Sequence, residues 1–91
     1  MSVDEYVNKM IYNYNFRDYT VDYILICEQA TLDEAIDFFK FDNPNEEKVC
    51  ELYSIKKLLE DNEDEIKSKL LKYQQDNYGD VGQGNVRVQG M

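Results

Sequence analysis

The chain has 91 residues, of which 43% are hydrophobic and 13% aromatic, which is enough for one folded domain but not for two. It carries 19 acidic residues, 10 basic residues and no histidine, giving a formal net charge of −9. A domain this acidic repels nucleic-acid phosphates and is attracted to basic protein surfaces, so direct nucleic-acid binding is disfavoured. A purely solubilising role for the acids is the alternative.

The two cysteines predict neither a disulfide nor a metal site. Cys27 and Cys50 form no C-x-x-C pair, and there is no histidine to complete a zinc set. Both have apolar neighbours, so we expect buried, reduced thiols in a cytoplasmic protein, and no cofactor. No apolar stretch is long enough to span a membrane and the N-terminus shows no signal pattern, so we expect no membrane contact.

The first helix is predicted over Val3–Tyr14, where apolar residues recur with helical spacing. Ser2 and Glu5 have the spacing of a capping box at its start. Three later pairs share this spacing and predict further helix starts: Thr31 and Glu34, Asn43 and Glu46, and Asn62 and Glu65.

The segment Thr20–Gln29 contains a continuous apolar run that fits either a buried helix or a central strand. A strand needs a partner, and the only other candidate is the weak pair Val86 and Val88. We therefore predict a helix, then a short break at Gln29–Ala30, then an amphipathic helix over Thr31–Lys40.

A longer helix is predicted to start at Asn43, because Pro44 suits the first helical position. Residues 60–65 are wholly polar, which favours a turn near Asn62, with one long helix as the alternative. All four glycines lie in residues 79–91, so Gly79 is predicted to end the last helix.

These elements predict an all-α fold, a compact bundle of four to five short helices. Residues 1–78 form a single acidic helical domain, and residues 79–91 form a flexible Gly-rich tail. The helices from Thr20, Thr31 and Asn43 also have helix-turn-helix proportions. That interpretation makes 45–53 the recognition helix, which begins with two glutamates and one lysine and suits DNA poorly.

Catalytic groups are not recognisable in the sequence. Histidine is absent, and no serine, cysteine or lysine stands in a known nucleophile arrangement. The acidic run at 61–65 lacks the ligand spacing and the glycine of a calcium loop. We therefore predict a protein that is not an enzyme and binds no metal.

The leading hypothesis is a small acidic protein that binds a basic surface of another protein, in particular a surface that normally holds nucleic acid. A phage or mobile-element inhibitor is one form of this hypothesis. Tyrosines beside carboxylates are typical of protein-binding patches. The candidate partner-binding residues combine negative charge or tyrosine with expected exposure: Asp4, Glu5, Asp18, Tyr19, Asp22, Asp33, Glu34 and Asp37.

Two alternatives remain at this level. A helix-turn-helix transcriptional regulator would use the lysines of the second half, such as Lys56 and Lys67, which lie three turns apart if the helix is unbroken at Asn62. A homodimer formed through the first helix is the other.

Overall fold

A computed structural model describes residues 1–79; apart from Gly79, the predicted flexible tail lies outside this range. The described part is all-α and contains no strand, which confirms the predicted fold class. None of its helices has both the length and the apolar character needed to cross a membrane. The four helices are α1 (Val3–Asn13), α2 (Val21–Asp37), α3 (Glu46–Asp61) and α4 (Glu63–Tyr78), and a π-helical turn at Phe38–Asp42 extends α2.

The starts of α1 and α2 are fixed by local side-chain caps. The Glu5 N–H donates to Ser2 Oγ at 3.2 Å, and the Ser2 N–H donates to Glu5 Oε1 at 2.9 Å. This is the predicted capping box, which satisfies N–H groups that have no partner inside the helix. Thr20 caps α2 by accepting the Tyr23 N–H at 3.2 Å, and the helix predicted over residues 20–29 is confirmed.

The predicted break at Gln29–Ala30 is wrong. Helix α2 continues through both residues, and Thr31, predicted to be an N-cap, lies in its middle. The physical reason is the phase of the apolar residues. Ile24, Leu25, Leu32 and Ile36 are all buried on one side of α2, and an uninterrupted helix keeps them on that side.

The predicted start at Asn43–Pro44 is wrong by two residues. Helix α3 begins at Glu46, and Asn45 is its N-cap, accepting the Lys48 N–H at 3.1 Å. Asn43 instead closes the π turn, because its N–H donates to the Phe38 carbonyl at 2.9 Å. The π turn therefore includes residues up to Asp42, and α3 begins later in the sequence than predicted.

Asn62 separates α3 from α4, so the predicted turn is confirmed and the single long helix is not formed. The predicted cap at this position is wrong, because Asn62 Nδ2 donates to the Leu58 carbonyl at 2.9 Å and closes α3 instead. Gly79 follows the last residue of α4 with φ of +78°, a conformation that favours glycine and ends the helix as predicted.

The thiols lie outside the core, contrary to prediction. Cys27 is half-buried and Cys50 is exposed on α3, and both are free. Cys50 is exposed because Val49 and Leu52 are the residues of that turn which face inward.

Helix α4 packs against the other three helices and supplies the centre of the core. Ile66 and Leu70 of α4 are fully buried, as are Leu59 of α3 and Val21 of α2. The buried polar residue of this core is Gln74. Its Nε2 donates to the Phe16 carbonyl at 3.0 Å and to the Tyr19 carbonyl at 2.7 Å. One amide therefore ties α4 to the loop between α1 and α2.

Replacing Gln74 should destabilise the fold far more than its position near the end of α4 suggests. Gln74→Leu keeps the volume but leaves two carbonyls without their donor, which should lower the free energy of unfolding by about 2–3 kcal/mol. The matched control is Gln75→Leu at an exposed neighbour, with an expected change within about 0.5 kcal/mol. Urea denaturation followed by circular dichroism measures both; equal losses would contradict this role for Gln74.

Candidate binding surface

The solvent side of α2 carries an exposed aromatic and aliphatic stripe. Tyr19 and Tyr23 stack with ring centroids 5.2 Å apart and an interplanar angle of 29°. Their exposed fractions are 49% and 52%, and that of Ile26 is 65%. The spacing of these residues places them on one side of the helix. We call this stripe, together with the carboxylates Asp18, Asp22, Asp33, Glu34 and Asp37, the α2 surface.

Six of the eight predicted partner-binding residues belong to the α2 surface. Asp18 and Tyr19 lie in the loop that leads into α2, and the other four lie on the helix. At 100° per residue, these four carboxylates fall within about a third of the helix circumference. All six residues are exposed, and they are Asp18, Tyr19, Asp22, Asp33, Glu34 and Asp37.

The remaining two predicted residues lie elsewhere. Glu5 belongs to the capping box of α1, and Asp4 pairs with Lys69 at 3.1 Å. Lys67, two residues earlier on α4, pairs instead with Asp22 at 2.8 Å. Side chains two residues apart point about 200° apart on a helix. Asp4 and Asp22 therefore flank α4 on opposite sides, and the structure does not bring the α1 acids to the α2 surface.

Lysines of α3 and α4 neutralise one edge of the α2 surface. Lys56 donates to Asp33 at 2.7 Å, and Lys67 pairs with Asp22. These contacts raise the pKa of both lysines, chiefly through the hydrogen bond to the carboxylate. The lysines on which a DNA-binding patch would depend are thus engaged within the fold, and Asn62 breaks the helix that would have aligned them.

A hydrogen-bond network around Glu28 was not predicted from the sequence. The Tyr6 hydroxyl donates to Glu28 Oε2 at 2.5 Å, and the Tyr14 hydroxyl donates to Oε1 at 2.8 Å. The signal available in the sequence was the helical spacing of Glu28 from Ile24 and Leu32, which places a carboxylate on the buried side of α2.

The two tyrosines remain hydrogen-bond donors at neutral pH. Burial raises the pKa of Tyr14 to about 12, with a further contribution from its hydrogen bond to Glu28. The same causes raise the pKa of Tyr6, again with burial as the largest. Because both hydroxyls keep their protons, Glu28 accepts on both oxygens.

Two concave regions adjoin the α2 surface. Glu28 lines a cleft of about 380 Å³ between α1, α2 and α3. A groove of about 520 Å³ lies between the π turn and α3, at the C-terminal end of the α2 surface. Its lining includes Phe39 and Phe41, and Phe41 is 71% exposed. Lys40 Nζ lies 5.7 Å from the centroid of the Phe41 ring, within cation–π range.

Within residues 1–79, no group of three or more histidine, cysteine, aspartate or glutamate side chains is placed to hold a metal ion. No family model, curated protein or solved structure matches the chain. The α2 surface and the two concave regions are therefore the features from which a function is proposed.

The burial of Tyr14 and its hydrogen bond to Glu28 should make stability fall at alkaline pH. As pH rises from about 10 to about 12, unfolded Tyr14 loses its proton while the folded residue keeps it, so the free energy of unfolding decreases. Tyr14→Phe should make this decrease shallower, and Tyr6, Lys56 and Lys67, whose pKa values are also raised, contribute to the part that remains. Urea denaturation between about pH 9 and 11 measures the slope. The control is Tyr12→Phe at an exposed position; an unchanged slope in Tyr14→Phe would argue against the assignment.

Proposed function

We propose that the chain is a non-enzymatic binding protein whose α2 surface docks on a basic surface of another protein, one that normally holds nucleic acid. The observation that carries the proposal is the exposed Tyr19–Tyr23 stack and Ile26, with two carboxylates beside the stack and three further along the same side of α2. Exposed apolar side chains rimmed by charge are characteristic of interaction sites.

The two kinds of residue contribute differently to binding. The tyrosine rings and Ile26 bury area at low entropic cost and supply most of the affinity. The carboxylates accelerate the encounter with a basic partner and disfavour acidic ones. Glu34 and Asp37 make no ion pair within residues 1–79, so their charges are available to a partner.

The linear arrangement of charge supports competition with nucleic acid. Asp22, Asp33, Glu34 and Asp37 extend over about 22 Å of helix at 1.5 Å per residue, and Glu34 and Asp37 carry the charge that the pairs with Lys67 and Lys56 do not neutralise. A DNA strand presents a phosphate about every 3.4 Å, so α2 offers a sparser line of the same sign. An inhibitor carried by a phage or mobile element is one setting for such a protein.

No observation favours the transcriptional regulator. Its proportions depended on a break at Gln29–Ala30, where α2 is continuous. Its basic face depended on Lys56 and Lys67, which pair with Asp33 and Asp22. The homodimer through the first helix stays a prediction.

The proposal predicts that two variants which lose the same number of charges differ in affinity, because only charges on the α2 surface contribute to binding. Asp18→Asn, Glu34→Gln and Asp37→Asn together remove three charges from the α2 surface without touching its ion pairs. At about 0.5 kcal/mol per exposed charge, affinity should fall about tenfold. The matched control removes three charges elsewhere, through Glu47→Gln, Glu51→Gln and Glu60→Gln, all exposed on α3 and without an ion pair within residues 1–79. Its affinity should stay within about twofold of the unaltered chain.

The measurement starts with capture from source cells at low salt and continues with the purified partner. Anisotropy of a labelled nucleic acid bound to that partner should fall when the 91-residue chain is added, and should fall less with the α2 triple variant. Equal effects of the two triple variants, or affinity unchanged between about 50 and 200 mM salt, would contradict the proposal. Capture without displacement of the nucleic acid would contradict its inhibitory part.

A further inference from the structure

The cleft between α1, α2 and α3 combines apolar walls with a fixed negative charge. Met10, Leu32 and Ile55 form part of its walls, and Asn13 and Thr31 add polar groups. Glu28 also lines this cleft and is half-buried. A volume of about 380 Å³ is ample for one long amino-acid side chain.

The charge of Glu28 is not balanced within the described part of the chain. Its two oxygens accept from Tyr6 and Tyr14, which are neutral donors. No lysine or arginine nitrogen of residues 1–79 forms an ion pair with it, including Lys9, which lines the same cleft and is exposed. A carboxylate offers about four lone-pair positions, and the tyrosines use two.

This combination selects the class of occupant. When a partner covers the cleft, the Glu28 carboxylate loses water. Its charged form then stays favourable only if it is paired with a cation or fully hydrogen-bonded. The Glu28 carboxylate repels an anion. A neutral apolar group would displace the water at its remaining lone pairs without replacing the hydrogen bonds of that water. An ammonium or guanidinium group on an aliphatic stem satisfies both the carboxylate and the apolar walls.

We propose that this cleft is a binding site for one lysine or arginine side chain of a partner protein, paired with Glu28. The inference rests on the proposed function, since the partner there is a basic protein. The exposed Thr31 lines the cleft and lies on α2 between Glu28 and Glu34, so a partner that covers the Glu34 edge of the α2 surface lies next to the opening of the cleft. Glu28 sets which side chain enters, and the α2 surface provides the surrounding contact.

The test uses the full 91-residue chain and single side-chain probes. N-acetyl-arginine amide and N-acetyl-lysine amide are titrated separately, followed by amide NMR shifts. The neutral control is N-acetyl-citrulline amide, which has nearly the shape of the arginine probe without its charge. The two cations should produce saturable shifts at Asn13, Glu28 and Thr31, and the citrulline probe should bind at least about tenfold more weakly.

Two variants separate binding from structural effects. Glu28→Gln should weaken the cationic probes about tenfold, whereas Glu51→Gln on the exposed side of α3 should leave them unchanged. Lys9→Gln removes a positive charge from the cleft and should tighten binding two- to threefold by reducing like-charge repulsion. The Lys9 variant keeps the test decisive if Glu28→Gln does not fold, because Lys9 is exposed and makes no hydrogen bond through its side chain in residues 1–79.

Several results would overturn the cleft site. They are equal binding of the citrulline probe, undiminished binding to folded Glu28→Gln, and weaker or unchanged binding to Lys9→Gln. Shifts confined to the α2 carboxylates would mean general charge attraction and would also overturn it. These results leave partner capture by the α2 surface intact. If the probes bind as expected but the chain does not displace nucleic acid from the captured partner, the proposed function is overturned and the cleft site is not.

Discussion

Helix α2 is buried on one side and exposed on the opposite side, and the rest of the structure depends on its being continuous. Its inner side buries Ile24, Leu25, Leu32 and Ile36 against the core. Its outer side presents the stacked tyrosines and the carboxylates. A break in the middle would let the two halves rotate independently, and neither the core nor the α2 surface would keep a single register. Thr20 caps the start of this helix, the π turn extends its end, and two ion pairs link its edge to α3 and α4.

The uneven distribution of charge follows from the same packing. Lysines are concentrated on α3 and α4, where several reach across to aspartates of α1 and α2: Lys56 to Asp33, Lys67 to Asp22 and Lys69 to Asp4. Exposed pairs of this kind add little stability individually. Their larger effect is on the surface potential, because they neutralise one edge of α2 and leave the outward carboxylates uncompensated. On the α2 surface, Asp18, Glu34 and Asp37 are the carboxylates without an ion pair within residues 1–79.

Local features of the fold were predictable, because their causes lie within a few residues of sequence. The Ser2–Glu5 capping box, the turn at Asn62 and the helix end at Gly79 are examples. The break predicted before Thr31 failed because a cap spacing also occurs by chance inside a helix, where only the phase of distant apolar residues excludes it.

The predictions about sites also succeeded where the cause is local in sequence and failed where it is not. Exposure of Tyr19 and the α2 acids could be inferred from helical spacing, whereas Asp4 and Glu5 could not be placed, since their position relative to α2 is set by how α1 packs on α4. Glu28 was missed because its hydrogen bonds come from Tyr6 of α1 and from Tyr14, which directly follows α1. Each of these depends on contacts between residues distant in sequence, which spacing alone does not encode.

The α2 surface depends on Gln74, a residue that is distant from it in sequence. The amide of Gln74 on α4 donates to the Tyr19 backbone carbonyl, 55 residues earlier in the chain, so α4 restrains the backbone that carries the first ring of the stack. A synthetic peptide spanning 18–37 would carry every carboxylate and aromatic ring of the surface and still lack this restraint. Its Tyr19 would be free to rotate away from Tyr23, and the peptide would have to order the pair at the moment of binding. Under the proposed function, recognition would therefore be a property of the folded domain, and a linear peptide copied from it would bind more weakly.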